Sequence, residues 1–178
     1  MNSIILVEIL FLLCISVVSD ALTYKIKNQI VISFLLVGFA TNTVLFGFGG
    51  IRASLAGAVL PVILLFVLFV LRMLGAGDIK LLSALGAIAG YPLILKILPV
   101  VFISGGIIAL LIMIFRKNAK QRFKHLVMYL KLCLVTLSIQ PYTDFGVKKD
   151  GSKLRFSYAI AVGTVITIIG EYYGIHCL

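Results

Sequence analysis

Long apolar runs, parted by short polar and basic stretches, dominate the chain. Their order predicts helical spans at about Ile4–Ser19, Ile30–Phe46, Ala53–Leu71, Ile79–Gly90, Leu93–Phe115 and Phe156–Tyr173. A helix crosses the hydrocarbon core of a bilayer with about 20 predominantly apolar residues. Several runs meet that length. The fourth is short, rich in glycine and bounded by Gly90, Tyr91 and Pro92, so it crosses only if its neighbours cover it. The pattern therefore predicts an all-α fold: a polytopic membrane bundle of about six transmembrane helices, forming a single domain over residues 1–178.

The stretch from Arg116 to Arg155 breaks the pattern. Within it Ala119, Phe123, Leu126, Leu130, Cys133 and Leu137 recur at steps of three and four, with Lys120, Lys124 and Lys131 between them. That spacing predicts a basic amphipathic helix lying on an anionic membrane surface. Membrane lipids are its expected partners.

Composition excludes a water-soluble globule. Apolar residues make up 62% of 178, charged residues 12%, and the mean hydropathy is +1.20. A soluble domain carries about 25% charged residues. The net charge of +10 suggests nucleic acid only until the cations are placed. With the N-terminus outside, fourteen of the sixteen basic residues fall on the inner side, and only Arg52 and Lys96 fall outside. That asymmetry orients membrane proteins, and no nucleic-acid partner is expected. The run from Ile4 to Val18 has no basic residue before it. It reads as a retained first span rather than a cleaved signal. Cys14, Cys133 and Cys177 form no CxxC pair and predict neither a disulfide framework nor a zinc site. Cys14, inside an apolar run, is expected to be a buried thiol.

Of six acidic residues, Asp20 and Asp78 stand where acids are costly. Asp20 ends the first span and Asp78 stands just before the fourth, at one predicted depth on the inner side. An acid at bilayer depth is by default a functional candidate, although pairing with Lys25 and Lys80 as interfacial anchors is the plain alternative. Asp78 stands in Gly75-Ala76-Gly77-Asp78-Ile79-Lys80. The two glycines permit unusual dihedrals and remove side-chain bulk, which lets a peptide backbone or another helix approach the carboxylate. Glu8, in the first span, is expected to be a snorkelling or helix-paired structural acid. Glu171 and His176 read as surface groups at the outer end.

These residues resemble the type IV prepilin peptidases, among the GxGD membrane aspartic proteases. The family's second-aspartate motif, GxGDxKL, is matched by Gly75, Gly77, Asp78, Lys80 and Leu81. Its first motif, an aspartate followed by a basic residue and Ile-Pro-Asn, is matched by Asp20, Lys25, Ile26 and Asn28, with Lys27 in place of the proline. Phe156-Ser157-Tyr158-Ala159 is a weaker echo, where the family often has Pro-Tyr near the start of its last helix. The resemblance implies Asp20 and Asp78 as catalytic residues, with Gly75, Gly77 and Lys80 in support. It implies substrates that are pilin-like precursors, cut at the cytoplasmic border of their apolar helix. The paired cysteines that accompany methyltransferase activity in longer members are missing, so the chain resembles the short form of Tad or Flp pili; archaeal preflagellin peptidases share the layout.

Two carboxylates held together share a proton near neutrality. One activates water while the other protonates the leaving amine, and neither a metal nor an organic cofactor is required. Zinc and serine intramembrane proteases do not fit: His125 and His176 belong to no HExxH, and no GxSG occurs. A small ion- or proton-coupled transporter using the same two aspartates is the rival from another class. A structural subunit of a secretion machine is a third, in which neither aspartate matters for processing.

Overall fold

A computed structural model describes residues 2–23, 28–71, 73–115 and 156–174. The expectations for Lys25, Ile26 and Lys27, for the 116–155 segment, and for Cys133, Cys177 and both histidines lie outside the described residues. The described chain is all helical. Helix α1 runs over Ser3–Thr23, α2 over Asn28–Val70, α3 over Ala76–Phe115 and α4 over Phe156–Tyr172. The first three are long and apolar enough to cross a membrane.

Among the described residues, the six separate spans expected from the pattern are thus replaced by four helices. The second and third expected spans share α2, and the fourth and fifth share α3. The reason lies at two glycines. Gly47 (φ 57°, ψ −136°) and Gly90 (φ 77°, ψ 166°) break the helical dihedrals inside α2 and α3. Their positive φ is a region that glycine enters without a Cβ clash. No polar loop is needed to turn the chain there.

The turn at Gly47 is sharp. Asn42 Nδ2 and Ser54 Oγ both donate to the carbonyl of Ala87, at 3.0 and 2.6 Å. In a straight helix residues twelve apart stand about 18 Å apart along the axis, so α2 folds back on itself. Asn42 also donates to the carbonyls of Gly38 and Ile88. Ile88 needs that donor, because its helical partner four residues on is Pro92, which has no N–H.

Helix α3 is the centre of the bundle and touches each of the other helices, α2 most extensively. Leu81, Leu82, Ala84, Leu85, Gly86, Ala87 and Ile88 are all buried, leaving that segment no outward face. Such a helix is a core element. The short, glycine-rich fourth run is therefore the most enclosed part of the fold. Helix α1 buries one stripe, Ile5, Ile9, Leu12 and Ser16, and exposes Ile4, Val7, Phe11 and Val18. Its outward face is apolar, as contact with lipid requires. Cys14 lies on that exposed side, not buried as expected.

Lipid is as apolar as leucine, so close packing and hydrogen bonds have to join these helices. Ser83 donates to the Ala58 carbonyl and Ser104 to the Ala159 carbonyl. Each such bond contributes about 0.6 kcal/mol in membranes. One end of the bundle gathers Asn2, the breaks at Gly47 and Gly90, and the Lys96–Glu171 ion pair. The other end gathers the end of α1 and the starts of α2, α3 and α4.

Candidate active site

Asp20 lies in the last turn of α1 and Asp78 in the first turn of α3. Fifty-eight positions apart in the chain, the two carboxylates come close enough for their charges to interact. The main chain sets up Asp78. Gly75 precedes the helix, and its carbonyl accepts the N–H groups of Asp78 and Ile79 at 3.1 and 3.3 Å. That fixes the first turn of α3, where the free N–H groups and the macrodipole favour an acid.

The glycines act through missing bulk. Neither Gly75 nor Gly77 has a positive φ, so the unusual dihedrals expected of them are not used. A Cβ on Gly75 would stand 3.0 Å from Asp78 Oδ2, whereas one on Gly77 would meet nothing within 4 Å. Gly75 leaves room for the aspartate, and Gly77 leaves open space beside it. Gly75→Ala is expected to push the carboxylate aside and lower the rate of the site's reaction by about a hundredfold. Gly77→Ala is expected to leave thermal stability unchanged and raise KM. Melting curves and steady-state kinetics on both variants check this; equal kinetic effects of the two would contradict it.

Lys80 reaches across to a neighbouring helix. Its Nζ donates to Asn28 Oδ1 at 3.0 Å, tying the start of α3 to the start of α2. Both residues are exposed, which limits the bond to a modest effect. Lys80→Ala and Asn28→Ala are each expected to slow the reaction by about threefold, and the double variant by no more than either. Additive losses in that cycle would show that the bond does not couple them.

Ser157 is a site residue that the sequence does not single out. It is the second residue of α4 and is buried, and its hydroxyl donates to Asp20 Oδ2 at 2.5 Å. Its segment carries only a faint motif echo, and no local pattern links positions 137 residues apart. Among the described residues no three His, Cys, Asp or Glu side chains gather as metal ligands would.

Glu8 belongs elsewhere. Thr41 donates to its Oε1 at 2.6 Å, while its buried Oε2 has no hydrogen-bond partner, so it is the helix-paired acid expected. A cavity of about 330 Å³ opens at the opposite end of the bundle, among residues including Asn42, Gly50, Gly90, Lys96 and Glu171. Neither aspartate lines it.

The model of one family, described as the type IV leader peptidase family, matches residues 6–114. The match covers most of α1 and all of α2, takes in Asp20 and Asp78, and ends before α4. No curated protein and no solved structure matches.

Proposed function

We propose a function from one premise: this chain belongs to the type IV leader peptidase family. It is a membrane-embedded aspartic endopeptidase that removes the basic leader from pilin-like precursors at the cytoplasmic membrane face. The observation that carries this reading is the approach of Asp20 and Asp78 at one end of an apolar bundle. Catalysis is theirs. Gly75 gives Asp78 its room, Gly77 keeps its surroundings open, and Lys80 braces the start of α3.

The chemistry needs little more. The charged carboxylate takes a proton from a water molecule as its oxygen attacks the scissile carbonyl carbon. The protonated carboxyl donates to the carbonyl oxygen, and the tetrahedral intermediate then collapses. The C–N bond breaks as the amine takes up a proton, which leaves one proton shared by the pair. Neither a metal nor an organic cofactor enters this scheme.

We read the limbs on either side of Gly47 and Gly90 as separate crossings. A straight 43-residue α2 would measure about 65 Å, more than twice the roughly 30 Å hydrocarbon core. The N-terminus is then outside, in the cytoplasmic membrane, and both aspartates lie at the inner face beside the basic segments. Without paired cysteines the chain cleaves and does not methylate, in the manner of Tad or Flp peptidases. Lipid headgroups meet its basic surface, and nucleic acid is not a partner.

Co-expression with a pilin-like precursor tests the proposal. The precursor is expected to shift in mobility by the mass of its leader. A precursor left whole by wild-type protein in the membrane rules the peptidase reading out and leaves the transporter and the structural subunit.

A further inference from the structure

Asp20 and Asp78 are held differently. Asp78 stands at a helix N-terminus, where backbone N–H groups are available. Asp20 stands in the last turn of α1, where the free backbone groups are carbonyls and offer an acid no donor. Helix ends also fray, and α1 makes few contacts with the rest of the bundle. Its backbone alone does not fix the direction of the Asp20 carboxylate.

The missing donor comes from α4, outside the residues that the family matches. Ser157 Oγ donates to Asp20 Oδ2 at 2.5 Å, and Ser157 is only 1% exposed. The turn that carries it is clamped to α3. Ser104 Oγ donates to the Ala159 carbonyl at 2.9 Å. The ring of Phe156 lies 5.8 Å from that of Phe102, and Gly105 gives it space. A buried hydroxyl on a fixed turn is a rigid tether for a carboxylate on a lightly held helix end.

We propose that Ser157 is a positioning residue, through which α4 holds one oxygen of Asp20 and leaves the other to work with Asp78. The inference rests on the peptidase reading above and adds a residue to its site. Ser157 is buried against Asp20, out of reach of a bound peptide, so its loss is expected to act on turnover rather than on binding.

The test uses the full chain in lipid vesicles with a pilin-like precursor. Ser157→Ala is expected to lower kcat by about thirtyfold with KM within about twofold. Ser157→Thr, which keeps the hydroxyl, is expected to retain at least about a third of the wild-type kcat. A second readout needs no turnover: the carbon-13 resonance of the Asp20 carboxyl is expected to move in Ser157→Ala and to stay in Ser157→Thr. A kcat for the alanine variant within threefold of wild type overturns the proposal. So does equal loss in both variants with a lowered melting temperature, which is the mark of packing alone. An unmoved resonance overturns the contact itself. Wild-type protein that cleaves nothing defeats the peptidase reading and the positioning role with it, and the resonance then reports the contact alone.

Discussion

Asp20→Asn and Asp78→Asn are each expected to reduce precursor cleavage by about a thousandfold or more, with the protein still folded in the membrane. Asparagine has nearly the volume of aspartate and cannot ionise, so it removes proton transfer and little else. The fold has no reason to fail. An amide oxygen at position 20 can still accept from Ser157, and the room beside Gly75 still suits a side chain of that size. A positioned acid or base contributes about 10²–10⁴-fold, and groups that act as a unit fail together. The double variant is therefore expected to be no slower than either single one. Initial rates at matched protein levels, with melting curves as the control for folding, measure all three. Residual cleavage above a tenth of wild type in either single variant would remove that aspartate from the chemistry. Cleavage untouched in both would return them to the anchoring role that Lys25 and Lys80 suggest from sequence.

The sequence made some features plain for physical reasons. Apolar runs located the helices, because lipid exposure demands apolar side chains all along them. The Gly75-to-Lys80 stretch located the acid, because its constraint is local: one carbonyl caps the turn and one missing Cβ leaves room. Three features were illegible. The form of the connections at Gly47 and Gly90 was one: the runs were rightly parted there, but as separate spans, whereas each pair is one helix broken at a single glycine. Cys14 was misplaced because a lipid-facing surface is as apolar as a bundle interior, and hydrophobicity does not tell the two apart. The pairings of Ser157 with Asp20 and of Lys80 with Asn28 are contacts between distant segments. Each residue is unexceptional until the fold brings it to its partner.

The same fold fixes where substitution is intolerable. At the crossing of α2 and α3, Gly57 and Gly86 meet backbone to backbone. A Cβ on Gly57 would lie 2.1 Å from the Gly86 carbonyl oxygen, and one on Gly86 would lie 2.0 Å from that of Gly57. The Gly57 oxygen has no helical donor of its own, because Pro61 stands four residues on, so the neighbouring segment can close directly onto it. No side chain can swing aside to admit a methyl group. The segments have to part by about 1 Å, which stretches the bonds from Asn42 and Ser54 to Ala87 and from Ser83 to Ala58. Gly57→Ala and Gly86→Ala are each expected to destabilise the bundle by about 3 kcal/mol or more. Activity should fall with stability, since Gly86 and Asp78 share one helix segment. Gly106→Ala, where an added Cβ meets nothing within 4 Å, is expected to change stability by less than about 0.5 kcal/mol. Loss of helical circular dichroism on heating in detergent measures the three together. If Gly86→Ala melts with Gly106→Ala and wild type, the two backbones do not meet there, and α3 is not held against α2 in the way that brings Asp78 to Asp20.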